Sequence, residues 1–437
     1  MTISAALPAF ILAGAIVSPA AAQECAAADL RQVLEKIDGQ RMKQTVDKLV
    51  SFGTRHTLSD TTSETRGIGA ARRWIFDEMS RYAQASGGRM SVAYHTSVQQ
   101  SARTYNRPME IVNVVATIRG TADPDRVYIA SGHYDSINSG VMDAVGDAPG
   151  ANDDASGTAL IIELARVLSQ YPLEATVVLA AVAGEEQGLL GARGLAETAF
   201  EQKWNIEGMI TNDIVGGIEG GSGAIDNRTV RVFSANQQGT GDSTSRHWAR
   251  FIRDAARTHL PRARARLVYR LDRFGRGGDH RPFFERGFPA ARFTEAAENY
   301  ARQHQNVRTE GGVKYGDTPE HVSGDYLRLV ASLNAAALVS AACAPAAPRN
   351  VRVQGALSDD TSLVWEADSA ADLAGYELLI RETTADEWEK VIPLGKVSSY
   401  TLKGVTIDNH FFGVRAVDTA GNRSPVRTPE EPAARPR

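Results

Sequence analysis

Apolar residues along this chain keep two different rhythms, and the change from one to the other divides it. Early on, "LRQVLEKI", "MKQTVDKLVSF" and "ARRWIFDEMSRYAQ" space their apolar positions three and four apart, which predicts amphipathic helices. Near-continuous apolar runs follow: "IVNVVATIRG", "RVYIASGHYDS", "ATVVLAAVAGEE" and "GMITNDIVG" predict strands. Among them "SGTALIIELARVLSQ" and "LLGARGLAETAF" predict helices. Strands apolar on both faces and interleaved with helices indicate an α/β fold. Its sheet should be mixed but mostly parallel, with helices on both faces. Beyond the Pro/Ala-rich seam "CAPAAPRN" the period shortens to two. "NVRVQG", "TSLVWEA", "GYELLIRE" and "HFFGVRAVD", separated by turns such as "DTAGN", predict a small all-β sandwich.

Composition adds bounds. A chain of 437 residues with 43% hydrophobic content can bury more than one core. A formal charge of -4 gives no reason to expect nucleic acid as a partner. The arginine-rich run from Arg246 to Arg281 lacks the interleaved stacking residues of a nucleic-acid surface and reads as a solvated helix face. At the N-terminus, the short apolar stretch Ala5 to Val17 precedes small residues at Ala20 and Ala22. This reads as an export signal cleaved before Gln23, although no basic residue precedes the apolar stretch. It is too short to span a membrane, and no other stretch suffices. The expected location is therefore the periplasm or the extracellular space. In an exported chain the cysteine pair Cys25 and Cys343 suggests one disulfide, with two buried thiols as the alternative. The expected organisation is a signal over 1–22, a main domain over 23–344, the sandwich over 345–427 and a disordered tail over 428–437.

The candidate chemistry lies where strands are predicted to end, which is where open parallel sheets collect ligands. One strand ends in "SGHYDS" with His133 and Asp135, another in "AGEEQG" with Glu185 and Glu186, a third in "TNDIVG" with Asp213. Between the first two lies "PGANDDASG", with Asp153 and Asp154 just ahead of a helix. Those two are also good helix caps. Adjacent carboxylates repel unless a cation sits among them. Histidine with carboxylate oxygens suits zinc, and this many acids allows two metals that share one carboxylate.

The ordered set "SGHYDS…GANDDASG…GEEQG…ND…ENYARQH" resembles the M28 family of co-catalytic zinc peptidases, most of them aminopeptidases, over roughly Leu49 to Leu338. The resemblance implies two zinc ions per chain, with His133 and Asp213 on one, Glu186 and His304 on the other, and Asp153 bridging. It implies Glu185 as the general base, Asp135 as the partner that orients His133, and a cis peptide between Asp153 and Asp154. His280 and His321 are alternatives for the last histidine ligand, but "ARFTEAAENYARQH" fits the family's strand-and-loop pattern, so His304 is preferred. Some relatives carry an oxyanion-binding tyrosine before the "DH" element. Here "RFGRGGDH" has none, leaving Arg273 or Arg276 either to serve that role or to bind structural carboxylates.

The activity implied is removal of N-terminal residues from peptides; carboxypeptidase, dipeptidase or other amide hydrolysis, and a non-catalytic receptor, are the alternatives. The region from Pro345 to Arg427 is similar to a fibronectin type III module, on Trp365, Tyr376 and "FGVRAVDTAGNRSP". It reads as a module binding a protein or carbohydrate, or as a structural accessory. Side-chain preference and oligomeric state are not legible here.

Overall fold

The structure is a computed structural model that describes residues 25, 30–236 and 242–429. The leader expected over 1–22 lies outside these, as does most of the expected 428–437 tail. Three helices open the described chain: α1 (Leu30–Lys36), α2 (Gly39–Val50) and α3 (Gly67–Ala85). Each buries one face; α2, for example, turns Met42, Val46 and Leu49 inward. Asp38 caps α2 by accepting from the Gln40 and Arg41 amides, which satisfies donors that the helix start leaves free.

The main sheet has eight strands: β1 (Met90–Gln99), β2 (Met109–Ile118), β3 (Asp123–His133), β4 (Ala175–Val182), β5 (Asn205–Asn212), β6 (Thr229–Phe233), β7 (Arg264–Val268) and β8 (Ala290–Glu295). Their order is β1-β2-β4-β3-β5-β8-β6-β7. The centre, β4-β3-β5-β8, is parallel, whereas β1-β2, β2-β4 and β6-β8 pair antiparallel. Burial follows position. Every residue of central β4 is buried, while edge strand β1 alternates inward and outward. On one face α4 (Ala155–Leu168), α6 (Thr244–His259) and α8 (Gly324–Ala342) join α1 to α3 over a continuous core. On the other, α5 (Leu190–Glu201) and the short α7 (His280–Glu285) cover Ile129, Val178 and Met209. Each fully buried Ile, Val or Met there contributes about 1.5–3 kcal/mol.

Two close approaches set the depth at which α4 meets the sheet. A Cβ at Gly157 would lie 2.1 Å from the Asn212 carbonyl oxygen, and one at Gly132 would lie 2.5 Å from the Gly157 carbonyl carbon. Both positions therefore need glycine, and the helix start is pressed against the ends of β3 and β5. A hairpin, β9 (Arg308–Glu310) with β10 (Val313–Tyr315), follows β8. Cys25 is joined to Cys343, the residue capping α8, in a disulfide with a Cα–Cα distance of 5.8 Å.

The C-terminal part holds two three-stranded antiparallel sheets. One is β11 (Arg349–Gln354), β12 (Thr361–Glu366) and β15 (Ser399–Leu402); the other is β14 (Lys390–Leu394), β13 (Leu373–Glu382) and β16 (His410–Asp418). Leu363 and Trp365 from the first meet Leu378, Ile380 and Val414 from the second in a separate core. The arginine row of α6 is not solvated as its composition suggested. Arg250 and Arg253 are only 4% and 6% exposed, because the turn carrying Asp386 and Glu387 between β13 and β14 lies on them.

Candidate metal centre

The predicted residues converge at the carboxyl ends of the parallel strands. His133 ends β3, Glu185 and Glu186 follow β4, Asp213 follows β5, and Asp153 precedes α4. His304 lies in the loop after β8. Three overlapping groups place ligand atoms within 4.8 Å of one another: His133, Asp153 and Asp213; His133, Glu185 and Glu186; Asp153, Glu186 and His304. Asp153 uses its two oxygens differently. Its Oδ1 is 3.1 Å from His133 Nε2, and its Oδ2 is 2.9 Å from His304 Nε2. Glu186 Oε1 is 3.0 Å from His304 Nε2, and Asp213 Oδ1 is 3.9 Å from His133 Nε2. One carboxylate thus faces two separate histidine–carboxylate pairs. Tetrahedral zinc with bonds of about 2.0 Å spaces its ligand atoms by about 3.3 Å, so these separations fit.

The donor atoms are also bare. His133 Nε2, Glu186 Oε1 and Asp213 Oδ1 are buried with no hydrogen-bond partner among the described residues. Buried polar atoms are otherwise almost always satisfied, and these three belong to the overlapping groups that could hold a metal, so they indicate ligands. The electrostatics agree. Burial pushes Glu185 well above the usual carboxylate range, with Asp213 and Glu186 adding repulsion against the pull of His133. Burial raises Glu186 too, aided by Asp153 and opposed by His304. Burial works against ionisation of Asp153, yet His304 and His133 hold it well below the usual range. Too many acids share too few protein cations, and a divalent metal removes the conflict.

Other residues hold this geometry. The Asp135 carboxylate accepts from the Glu185 and Glu186 amides at 3.2 and 3.1 Å. His133 Nδ1 is 3.2 Å from the Asp135 carbonyl oxygen and 3.5 Å from its Oδ1. Asp135 thereby locks the end of β3 to the Glu185–Glu186 turn. Asp154 accepts from the Gly157 and His133 amides, and the Asp153–Asp154 peptide is cis.

Four contributors were not singled out from the sequence. Arg55, 1% exposed, donates to the carbonyls of Pro149 and Gly150 at 2.8 Å and steadies the loop before Asp153. The Asp317 carboxylate accepts from the amides of Asn152 and Asp153, at 2.8 and 2.7 Å. Arg292, fully buried, places Nη2 2.9 Å from Asp213 Oδ2. Asp279 is buried beside the site with both carboxylate oxygens unpartnered, and burial, with Asp135 and Asp213 adding, pushes it up to about 7. Arg292 left a trace in the sequence as a charge inside an apolar strand, and Asp279 as the acid of the quoted "DH" element.

Arg273 and Arg276 both donate to Glu298 Oε2 at 2.9 Å, and Arg273 also bonds Asp272. Their guanidinium groups are engaged by carboxylates, which favours the structural of the two roles considered for them. His280 gives Nε2 to the Leu271 carbonyl oxygen at 2.6 Å. Neither it nor His321 belongs to the three groups.

The family assignment follows from comparison with known proteins. The sequence model of peptidase family M28 matches residues 113–334. A probable zinc metalloprotease of Leptosphaeria maculans is 46% identical over 417 residues, covering 92% of this chain and 96% of the relative. The chain belongs to peptidase family M28. Another probable zinc metalloprotease, from Pyricularia oryzae, is also 46% identical and covers 92% of this chain and 84% of its own length. As an M28 member the protein is a zinc metalloprotease, and peptides are its substrate class. Among solved structures, the LapA aminopeptidase of Legionella pneumophila aligns with a TM-score of 0.54 at 19% identity, covering 72% of this chain and 74% of that one. An aminopeptidase from Aneurinibacillus sp. strain AM-1 aligns at 0.51 with 16% identity, over 71% and 95%. These share the M28 fold. No helix among the described residues is long and apolar enough to cross a membrane.

Proposed function

We propose that this M28 peptidase is an exported exopeptidase that removes N-terminal residues from peptides with a dinuclear zinc site. The observation that carries the reading is Asp153, whose two oxygens face two different histidine–carboxylate pairs at 3.1 and 2.9 Å. In this reading His133, Asp153 and Asp213 hold one zinc, and Asp153, Glu186 and His304 hold the other. Zinc supplies Lewis acidity there, polarising a carbonyl and making water acidic near neutral pH.

Glu185 is the half-buried carboxylate beside these donors and is not needed as a ligand. It takes a proton from the attacking water and returns it to the departing amine, as a carboxylate positioned beside the ligand groups can do. Asp135 keeps that carboxylate in register with His133 by holding the Glu185 amide. The His304 side chain is 36% exposed whereas His133 is fully buried, so substrate enters from the His304 side. The structural neighbours named as aminopeptidases support the amino end of a peptide as the point of attack.

Export of the chain is supported by its leader-like start and by the disulfide, which persists in oxidising compartments. The division of the mature chain into a peptidase domain over 23–344 and a fibronectin type III-like sandwich over 345–427 is supported by their separate cores. The deciding experiment measures zinc per chain, then hydrolysis of free, N-blocked and C-blocked peptides by the same preparation. Two zincs, with cleavage abolished by N-blocking alone, is the expected result. One zinc, or cleavage abolished only by C-blocking, would overturn the dinuclear or the aminopeptidase part respectively.

A further inference from the structure

The acidic turn of the sandwich grips the end of β7, and β7 runs directly into the segment that holds Arg292. Arg253 donates to Asp386 Oδ2 at 2.8 Å and to Glu387 Oε2 at 2.7 Å, and Arg250 donates to the Asp386 carbonyl oxygen at 3.0 Å. Trp388 stacks on His247 with ring centroids 5.8 Å apart. The Tyr269 hydroxyl donates to Asp386 Oδ1, while Arg246 and Arg250 lie over its ring at 4.8 and 5.2 Å. Tyr269, the first residue after β7, is therefore held between α6 and the sandwich.

Only Arg270 and Leu271 separate Tyr269 from Asp272. Asp272 Oδ2 accepts from Arg292 Nη1 at 3.0 Å, and the Gly277 carbonyl oxygen accepts from the same nitrogen at 2.7 Å. The other terminal nitrogen of Arg292 reaches Asp213 Oδ2 at 2.9 Å. A guanidinium is planar and rigid, so the acceptors of one nitrogen fix where the other points. That second nitrogen holds one oxygen of Asp213 and leaves Oδ1 facing His133. Glu298 anchors the far part of the 270–277 segment through Arg273 and Arg276. Its near end is held by Tyr269 on one side and by His280 Nε2, 2.6 Å from the Leu271 carbonyl oxygen, on the other.

We propose that the C-terminal sandwich is a positioning element for the metal centre, with Asp386 acting through Tyr269, Asp272 and Arg292 to set the orientation of Asp213. The inference rests on the reading of Asp213 as a zinc ligand. Outer partners of a ligand control metal affinity, and here the outermost partner belongs to a different part of the chain.

The test uses the full chain carrying Asp386→Asn with Glu387→Gln, and separately Tyr269→Phe, with zinc release measured by chelator competition in the absence of substrate. Both variants should hold one zinc about 10-fold more weakly and the other normally. Hydrogen exchange over 270–277 should speed up in both. Glu377→Gln is the control: it removes the pairs with Arg415 and Arg423 within the sandwich and does not touch α6 or Tyr269. It should lower stability without altering zinc release. Release at the wild-type rate in both interface variants, or an equal change in the control, overturns the proposal. If the wild-type chain binds no zinc, the metal-centre reading fails and this inference with it. If it holds two zincs and the interface variants release them normally, only the positioning role is wrong.

Discussion

The strand-end cluster and the cluster beneath the sandwich are both built from Asp, Glu, His and Arg around buried members, with Asp386 and Glu387 of the second reaching the surface, but their charges are balanced differently. Under the sandwich, Asp242 meets Arg250 at 2.6 Å and also pairs with Arg381, while Asp386 and Glu387 take up Arg253. Carboxylates and guanidiniums alternate there, and burial of Asp242 is outweighed by His247, Arg250 and Arg381, which together lower its pKa. At the strand ends Asp135, Asp153, Glu185, Glu186 and Asp213 gather around two histidines, with the Arg292 guanidinium paired to the Asp213 carboxylate. The lesson lies in the remainder. A buried cluster that neutralises itself holds structure together, and one left short of positive charge is waiting for a cation.

The largest effect should come from the shared ligand. Asp153→Ala deletes the oxygens that face both histidines, so metal analysis should find neither site tightly loaded; two zincs per chain in the variant would refute the bridging role. Next comes Glu185→Gln, which keeps the shape and removes the proton carrier. Its kcat should fall by about 10²–10⁴ with KM and zinc content close to wild type. A variant that loses zinc, or keeps near-normal turnover, would mean that the role of Glu185 is wrongly assigned.

The balanced cluster should respond in stability instead. Asp242→Ala strands two guanidiniums whose side chains are only 5% and 4% exposed, a change worth about 3–5 kcal/mol. Denaturant unfolding should show that loss, with two zincs still bound at saturating metal. Reducing the Cys25–Cys343 bond should cost about 2–4 kcal/mol, measured by the same method with and without reductant.

The smallest effect sharpens the comparison through a surplus acid that has no metal to relieve it. Glu174 is pushed up to about 8 by burial, with Asp372 and Asp418 of the sandwich adding to it and Arg126 opposing. Its folded pKa lies above its unfolded one, so its favourable contribution is complete below the ordinary carboxylate range. That contribution is lost as the pH rises toward about 8. Glu174→Gln should flatten the fall in stability between the ordinary carboxylate range and about pH 8; an unchanged slope there would show that the group ionises freely.

Periodicity alone located the central strands β2 to β5, because strands buried on both faces must be apolar throughout. It passed over β6 and β7, five-residue strands that carry Arg231, Arg264 and Arg266, β7 at the edge of the sheet and β6 next to it. Its reading of the α6 arginines as solvated failed for a related reason. Composition reports the charge on a helix face and cannot report what lies across from it.

What the sequence determined by itself was which residues to consider: His133, Asp153, Glu186, Asp213 and His304 as candidate ligands, and Glu185 beside them as the candidate base. All but His304 flank predicted strands and the helix after Asp153. His304 came from the motif that follows β8. Short-range pattern therefore singled out the other five, and the resemblance to the M28 family singled out His304 and implied the role of each. Tertiary structure alone decided that Asp153 divides its oxygens between two histidines, that Arg292 holds Asp213, and that Asp317 and Arg55 steady the loop before α4. Those partners lie 79 to 164 residues from the groups they hold. A lone arginine or aspartate has no periodicity to reveal its partner; only the packing of sheet against helix brings the two together.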